Sequence, residues 1–142
     1  GVGVDISPLA LQTAEENGKK LLAEEKRPVW LESNLFEKVE GKFDIIVSNP
    51  PYIRSDVIDT LMPEVKDYEP LNALDGTEDG LYFYREIIKQ APEYLKKEGR
   101  LYFEIGHDQG EDVSELLMQA GFKEIHVVKD YAGLDRVVYA TL

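Results

Sequence analysis

Four consecutive residues, Asn49-Pro50-Pro51-Tyr52, combine groups suited to holding a planar –NH2. An amide or aniline-like nitrogen is a poor nucleophile because its lone pair is delocalised into the adjacent π system. To attack, it must surrender part of that resonance and aim the lone pair at an electrophile. The side-chain oxygen of Asn49 and the backbone carbonyl of Pro50 offer one acceptor for each of the two N–H bonds. Pro50 and Pro51 have no backbone N–H and a nearly fixed φ, so the stretch presents mostly acceptors and has little room to relax. Tyr52 can lie against the flat face of the target group. Such a turn would catalyse by orientation, with oxygens placed to favour the charge that develops on nitrogen. No base is required before attack, because the nitrogen becomes acidic only once it carries the methyl group. The chemistry implied is methyl transfer to an amide or amine nitrogen. A plainer reading stands beside it: Asn49 opens a turn and two prolines stop a strand.

The elements that must carry this turn alternate between strand and helix. Phe43 to Ser48 reads as a buried strand directly before it. Upstream, Val2-Gly3-Val4-Asp5 reads as a short strand. Ser7 is a good N-cap and Pro8 a good first residue of a helix reaching to about Glu25. Leu11, Ala14, Gly18, Leu21 and Leu22 share one face of it. Val29 to Glu32 is a second strand. A long acidic stretch, residues 53–79, holds one short helix near residues 56–62, and a loop of that length is usually functional or mobile. A helix follows over residues 79–96, with Leu81, Tyr84, Ile88, Ala91 and Leu95 as its apolar stripe. A strand over 100–105 and a helix over 109–120 come next (Val113, Leu116, Leu117, Ala120), the helix ended by Gly121. The last two strands, 124–129 and 136–142, are joined too tightly for a crossover helix and should be antiparallel.

This alternation predicts an α/β fold with a mainly parallel sheet, in a single domain over residues 1–142. Ligands of such sheets sit at the carboxyl ends of the strands. Asp5, Asn34 and Asn49 all fall at such ends. A carboxylate in Asp5's position commonly binds ribose hydroxyls; the alternative is that Asp5 only helps Ser7 start the helix. Residues 64–79 are either solvated surface or, through Tyr68-Glu69-Pro70, the rim of a substrate pocket.

Composition narrows the classes. No apolar run approaches a membrane span, and no signal peptide is visible. The chain has no cysteine, so it has no thiolate metal site and no disulfide framework, which fits a cytoplasmic protein. Its net charge is −12, from 16 basic and 28 acidic residues, which argues against direct nucleic-acid binding. His107 and His126 are far apart and read as surface or strand residues; no metal site is expected.

The chain resembles the release-factor glutamine methyltransferases, the HemK/PrmC family. The resemblance rests on Val4-Asp5-Ile6-Ser7-Pro8, Phe43 through Ile53, Tyr68-Glu69-Pro70, Ala73-Leu74-Asp75-Gly76, Glu78-Asp79-Gly80-Leu81, Glu104-Ile105-Gly106 and residues 130–136. It implies a Rossmann-like class I methyltransferase fold and S-adenosyl-L-methionine as cofactor. The implied reaction is N5-methylation of the glutamine in the Gly-Gly-Gln loop of peptide-chain release factors. By matching position, Asn49 and the Pro50 carbonyl would hold the glutamine amide, Pro51 would stiffen the turn, and Tyr52 would lie beside it. Tyr68 and Glu69 would shape the substrate rim. Asp5 would take the ribose hydroxyls and Ile6 would lie against adenine. Asn34, followed by Leu35, stands where the family usually carries Asp near the adenine amino group, and its side-chain oxygen can still accept that N–H.

The resemblance covers the C-terminal part of the family's catalytic domain. The first strand, its Gly-rich loop and a helical recognition domain have no counterpart here. Gly1-Val2-Gly3 is not that loop, since it lies within a strand that no strand precedes. The 142 residues alone are therefore expected to bind the cofactor weakly and to turn nothing over. The missing strand would lie between those ending at Asp5 and Ser48. Those two are expected to close on each other, or a second chain to fill the gap by self-association. Two other functions share the residues: an adenine N6 amino-methyltransferase acting on a flipped DNA or RNA base, and a non-catalytic binding module.

Overall fold

The computed structural model describes residues 1–62 and 70–142. Tyr68 and Glu69 lie outside the described residues. The chain divides into two units, Gly1–Gly41 and Lys42–Leu142.

In the first unit, β1 (Val2–Asp5) pairs in parallel with β2 (Val29–Glu32), Asp5 standing opposite Glu32 at the carboxyl end. The two are joined by α1 (Pro8–Leu21) and a 3-10 turn (Glu24–Lys26). The Ser7 hydroxyl caps α1 by accepting from the Ala10 N–H at 3.3 Å, and Pro8 opens the helix as expected. The helix stops at Leu21, short of Glu25. Leu22 is extended there, its N–H bonded to the Gly18 carbonyl. Leu21 and Leu22 are consequently exposed, while Leu11, Ala14 and Gly18 face inward. The Trp30 ring lies so close over Gly3 that any side chain there would collide with it, and it also lies near Gly18.

In the second unit, β3 (Phe43–Ser48), β4 (Leu95–Glu104), β5 (Lys123–Lys129) and β6 (Asp135–Thr141) form a sheet in the order β3-β4-β6-β5. β3 and β4 are parallel. β6 runs antiparallel to both β4 and β5, which confirms the expected antiparallel end of a mixed α/β fold. The helices are α2 (Ser55–Ile58), α3 (Leu71–Leu74), α4 (Tyr82–Tyr94) and α5 (Gly110–Gln119). Tyr84, Leu95, Leu101, Phe103, Ile105, Val113, Leu117 and Val138 are fully buried, and Tyr84 meets Phe103 edge-on at 5.1 Å. α4 is shorter than the 79–96 expected: of the stripe read on it, Tyr84, Ile88 and Ala91 are buried in the helix together with Ile87, Leu81 is half-buried just ahead of it, and Leu95 is buried but begins β4.

One expectation needs correcting. β3 is not a buried strand: Ile45 and Val47 are 56% and 75% exposed. The reason is its place at the end of the sheet order, where among the described residues its ladder partner is β4.

Candidate functional site

The Asn-Pro-Pro-Tyr turn starts where β3 ends. Asn49 is exposed, Pro50 buried, and Pro51 and Tyr52 half-buried. Asn49 and Ser48 line a shallow, largely apolar depression of about 420 Å³, together with Val47, Tyr102, Glu104 and Val137. Among the described residues, neither the Asn49 carboxamide nor the Pro50 carbonyl takes part in a hydrogen bond. Two acceptors on adjacent residues are thus left unspent by the described residues, with Asn49 on the apolar depression.

Positions 50 and 51 have no N–H, so the prolines supply no donor to tie the turn. It is anchored just downstream instead. The Ile53 N–H donates to the Leu74 carbonyl at 3.0 Å, and the Gly76 N–H donates back to the Ile53 carbonyl at 2.8 Å. Asp75 Oδ1 accepts from the Ser55 hydroxyl at 2.7 Å and from the Thr77 N–H at 2.8 Å. Space at this junction requires glycine twice. A Cβ on Gly76 would lie 2.8 Å from Tyr52 Cα, and one on Gly80 would lie 2.5 Å from the Tyr52 carbonyl oxygen. Gly80 also has φ +72, which an L side chain resists.

A buried polar group finishes the support. The Gln109 side chain, 7% exposed, donates from Nε2 to the Tyr52 carbonyl at 3.0 Å and to the Gly80 carbonyl at 3.3 Å. Its Oε1 accepts from the Gly106 N–H at 3.0 Å. The Tyr84 hydroxyl donates to the Glu104 carbonyl at 2.9 Å and stands 3.4 Å from Gln109 Oε1. Burial pushes the Tyr84 phenol far up, so it remains a protonated donor.

Next in sequence to Val137, which lines the depression, Arg136 is fixed by Asp130. Its Nη2 donates to Asp130 Oδ2 at 3.1 Å and its Nη1 to the Ile105 carbonyl at 3.2 Å. The Leu134 N–H, then the Arg136 guanidinium and the Ala132 N–H, hold the Asp130 carboxyl below the ordinary carboxylate range.

In the first unit, Asp5 and the loop of Asn34 meet through strand pairing, the Ser33 N–H donating to the Asp5 carbonyl at 3.0 Å. Asp5 Oδ1 accepts from the Ser7 N–H at 2.8 Å. The helix-starting role is therefore real, and it uses one oxygen of the two. Asn34 Nδ2 donates to Glu37 Oε1 at 2.9 Å, which leaves the side-chain oxygen as its unused end. Buried Ser33 shapes this loop by donating to the Leu35 carbonyl and accepting from the Lys38 N–H. Leu35 has φ +47. Ile6 is 50% exposed. A carboxylate oxygen, an amide oxygen and an open apolar side chain fit the ribose and adenine of a nucleoside.

Asn49, Pro50, Pro51 and Tyr52 are together in the second unit, as are Asp5, Ile6, Asn34 and Leu35 in the first. The sequence reading gave no part in the site to Gly76, Gly80 or Gln109, and read Tyr84 only as part of a helix's apolar stripe. Gly76 and Gly80 lay within stretches that carried the family resemblance. Gln109 gave no signal beyond a helix start.

Comparisons with known proteins show what the chain is similar to. Residues 4–108 match the sequence model of a family described as Eco57I restriction-modification methylase. A release factor glutamine methyltransferase of Fusobacterium nucleatum is 52% identical over 140 residues, covering 97% of this chain and 39% of that protein. One from Agrobacterium fabrum is 49% identical, covering 97% of this chain and 47% of that protein. The chain thus spans less than half the length of these relatives. A methyltransferase from Pyrococcus furiosus superposes with a TM-score of 0.69 at 14% identity, over 99% of this chain and 61% of that one. The ribosomal protein L11 methylase of Lactobacillus delbrueckii gives 0.62 at 19%, over 99% of this chain and 55% of that one. These two establish the fold: class I methyltransferase.

Proposed function

We propose that the chain, which belongs to the family described as Eco57I restriction-modification methylase, is part of a release factor glutamine methyltransferase, and that the full-length protein methylates the side-chain amide of a glutamine in a peptide-chain release factor. The observation that carries this reading is the pair of acceptors left unspent by the described residues, the Asn49 carboxamide oxygen and the Pro50 carbonyl, held on a rigid turn with Asn49 on the apolar depression.

The cofactor of such enzymes, S-adenosyl-L-methionine, supplies an electrophilic sulfonium methyl. Asp5, through its second carboxylate oxygen, would hold ribose hydroxyls, with Ile6 and Leu35 against the adenine and the Asn34 oxygen on its amino group. Asn49 and Pro50 would each accept one N–H of the substrate amide, and Tyr52 would lie on its flat face. Held this way, the substrate nitrogen would be fixed in orientation for attack, the two oxygens would stabilise the partial positive charge that grows on it, and its surplus proton would leave for solvent. Tyr68 and Glu69 would serve as the substrate rim. We take both units as parts of one catalytic domain and the protein as cytoplasmic. No described helix is long and apolar enough to cross a membrane.

The Eco57I match favours a second reading, transfer to the amino group of a flipped adenine, which the same two acceptors could hold. A net charge of −12 weighs against it. Incubating full-length enzyme and labelled cofactor with purified release factor, and separately with an adenine-containing oligonucleotide, decides between them. Label on the glutamine peptide supports the first reading. Label on the oligonucleotide alone overturns it.

A further inference from the structure

We propose that Gln109 is a positioning residue for methyl transfer: it fixes the Asn49–Tyr52 turn by clamping its downstream carbonyl. This deepens the reading of the turn as an amide cradle and rests on it.

The turn has an unusual supply problem. Its prolines donate nothing, and its two best acceptors must stay free for substrate. A donor outside the turn can anchor it without spending either acceptor, by acting on a carbonyl the substrate does not need. The Tyr52 carbonyl is that group, and Gln109 Nε2 reaches it at 3.0 Å from the start of α5. The same nitrogen ties the Gly80 carbonyl just ahead of α4, and Oε1 ties the Gly106 N–H after β4. One side chain thus joins the segments that follow β3, precede α4 and follow β4. The surroundings fix the amide's orientation: the nitrogen faces two carbonyls and the oxygen faces an N–H. A primary amide is the side-chain group that carries two donors and an acceptor in one plane. A carboxylate would turn both carbonyl contacts repulsive. At 7% exposure, water has little access to replace what is lost. Gly76 and Gly80 complete the clamp by letting the backbones approach Tyr52 closely.

Gln109 touches no reacting atom in this account, so its test separates positioning from fold. In wild-type full-length enzyme, both Gln109 side-chain amide protons should exchange with solvent at least about a hundredfold slower than free glutamine amides, as for buried donors. Exchange at the free rate would overturn the proposal without any variant. In Gln109→Glu, amide exchange at Ile53 and Gly76 should rise at least about tenfold while Gly106 stays protected. Turnover should fall at least about thirtyfold, with KM for the cofactor changed less than about twofold. Unchanged exchange at Ile53 and Gly76, turnover within about threefold of wild type, or a loss that falls wholly in cofactor KM would each overturn it. Turnover is read on whichever substrate the wild type accepts, and the exchange measurements need none. A mistaken substrate class is thus told apart from a mistaken role for Gln109.

Discussion

Asp5 holds two jobs on two oxygens. Oδ1 accepts from the Ser7 N–H at the start of α1, and Oδ2 is left for a ligand. Substituting Asp5→Asn keeps an acceptor for Ser7 and removes the charge. In full-length enzyme, calorimetry with S-adenosylhomocysteine should show roughly tenfold weaker binding, the value of one charge-assisted hydrogen bond, with α1 intact by circular dichroism. Unchanged affinity would return Asp5 to its capping role alone. At this scale the sequence was readable wherever a group's chemistry is local. The carboxamide and prolines at 49–51 announce acceptors by their covalent structure alone. Gln109 could not be read that way, because its meaning comes from carbonyls 57 and 29 residues distant in sequence.

At the level of elements, the junction between the turn and the start of α4 depends on backbone proximity. A methyl at Gly80 would meet the Tyr52 carbonyl and would also sit at positive φ. Gly80→Ala should destabilise the protein by more than about 1 kcal/mol, visible as a lowered Tm. An equal Tm would contradict the close packing.

The β5–β6 connection carries a pH signature. The Asp130 carboxyl is held below its ordinary value by the Leu134 N–H first, with Arg136 and the Ala132 N–H adding to it. A carboxyl whose folded pKa is depressed contributes stability above its unfolded pKa, near about 3.9, and loses it as pH falls through the folded value. Wild type should therefore be more stable than Asp130→Asn at neutral pH, and their Tm values should converge below about pH 4. A gap that persists at low pH would place the effect elsewhere. β1, β2 and β3 were legible to the residue, because short apolar runs ended by turn residues define strands. The length of α1 was not, since residues 22–25 suit a helix and only the bond from Leu22 to Gly18 shows it ending earlier. Nor was the exposure of β3, because periodicity says nothing of which strand ends the sheet.

Across the whole molecule, the α/β class followed from the alternation of strands and helices, and the class I methyltransferase fold from the family resemblance. The order β3-β4-β6-β5 did not, since it depends on β6 inserting beside β4. An apolar strand at the end of that order is a feature proteins usually cover, and self-association of the isolated 142 residues through it remains our proposal, readable by size-exclusion chromatography. The acidic balance suits a protein substrate better than a phosphate backbone.

The central claim is that two oxygens at the end of β3 orient the nitrogen that receives the methyl group. Its most direct test is single-turnover methyl transfer to release factor by full-length enzyme carrying Asn49→Ala, with cofactor binding measured in parallel. The rate should fall at least about a hundredfold, the scale for one preorganised polar contact, while cofactor affinity stays within about twofold. A rate within about threefold of wild type would contradict the account, because the Asn49 oxygen would then not be holding the nitrogen.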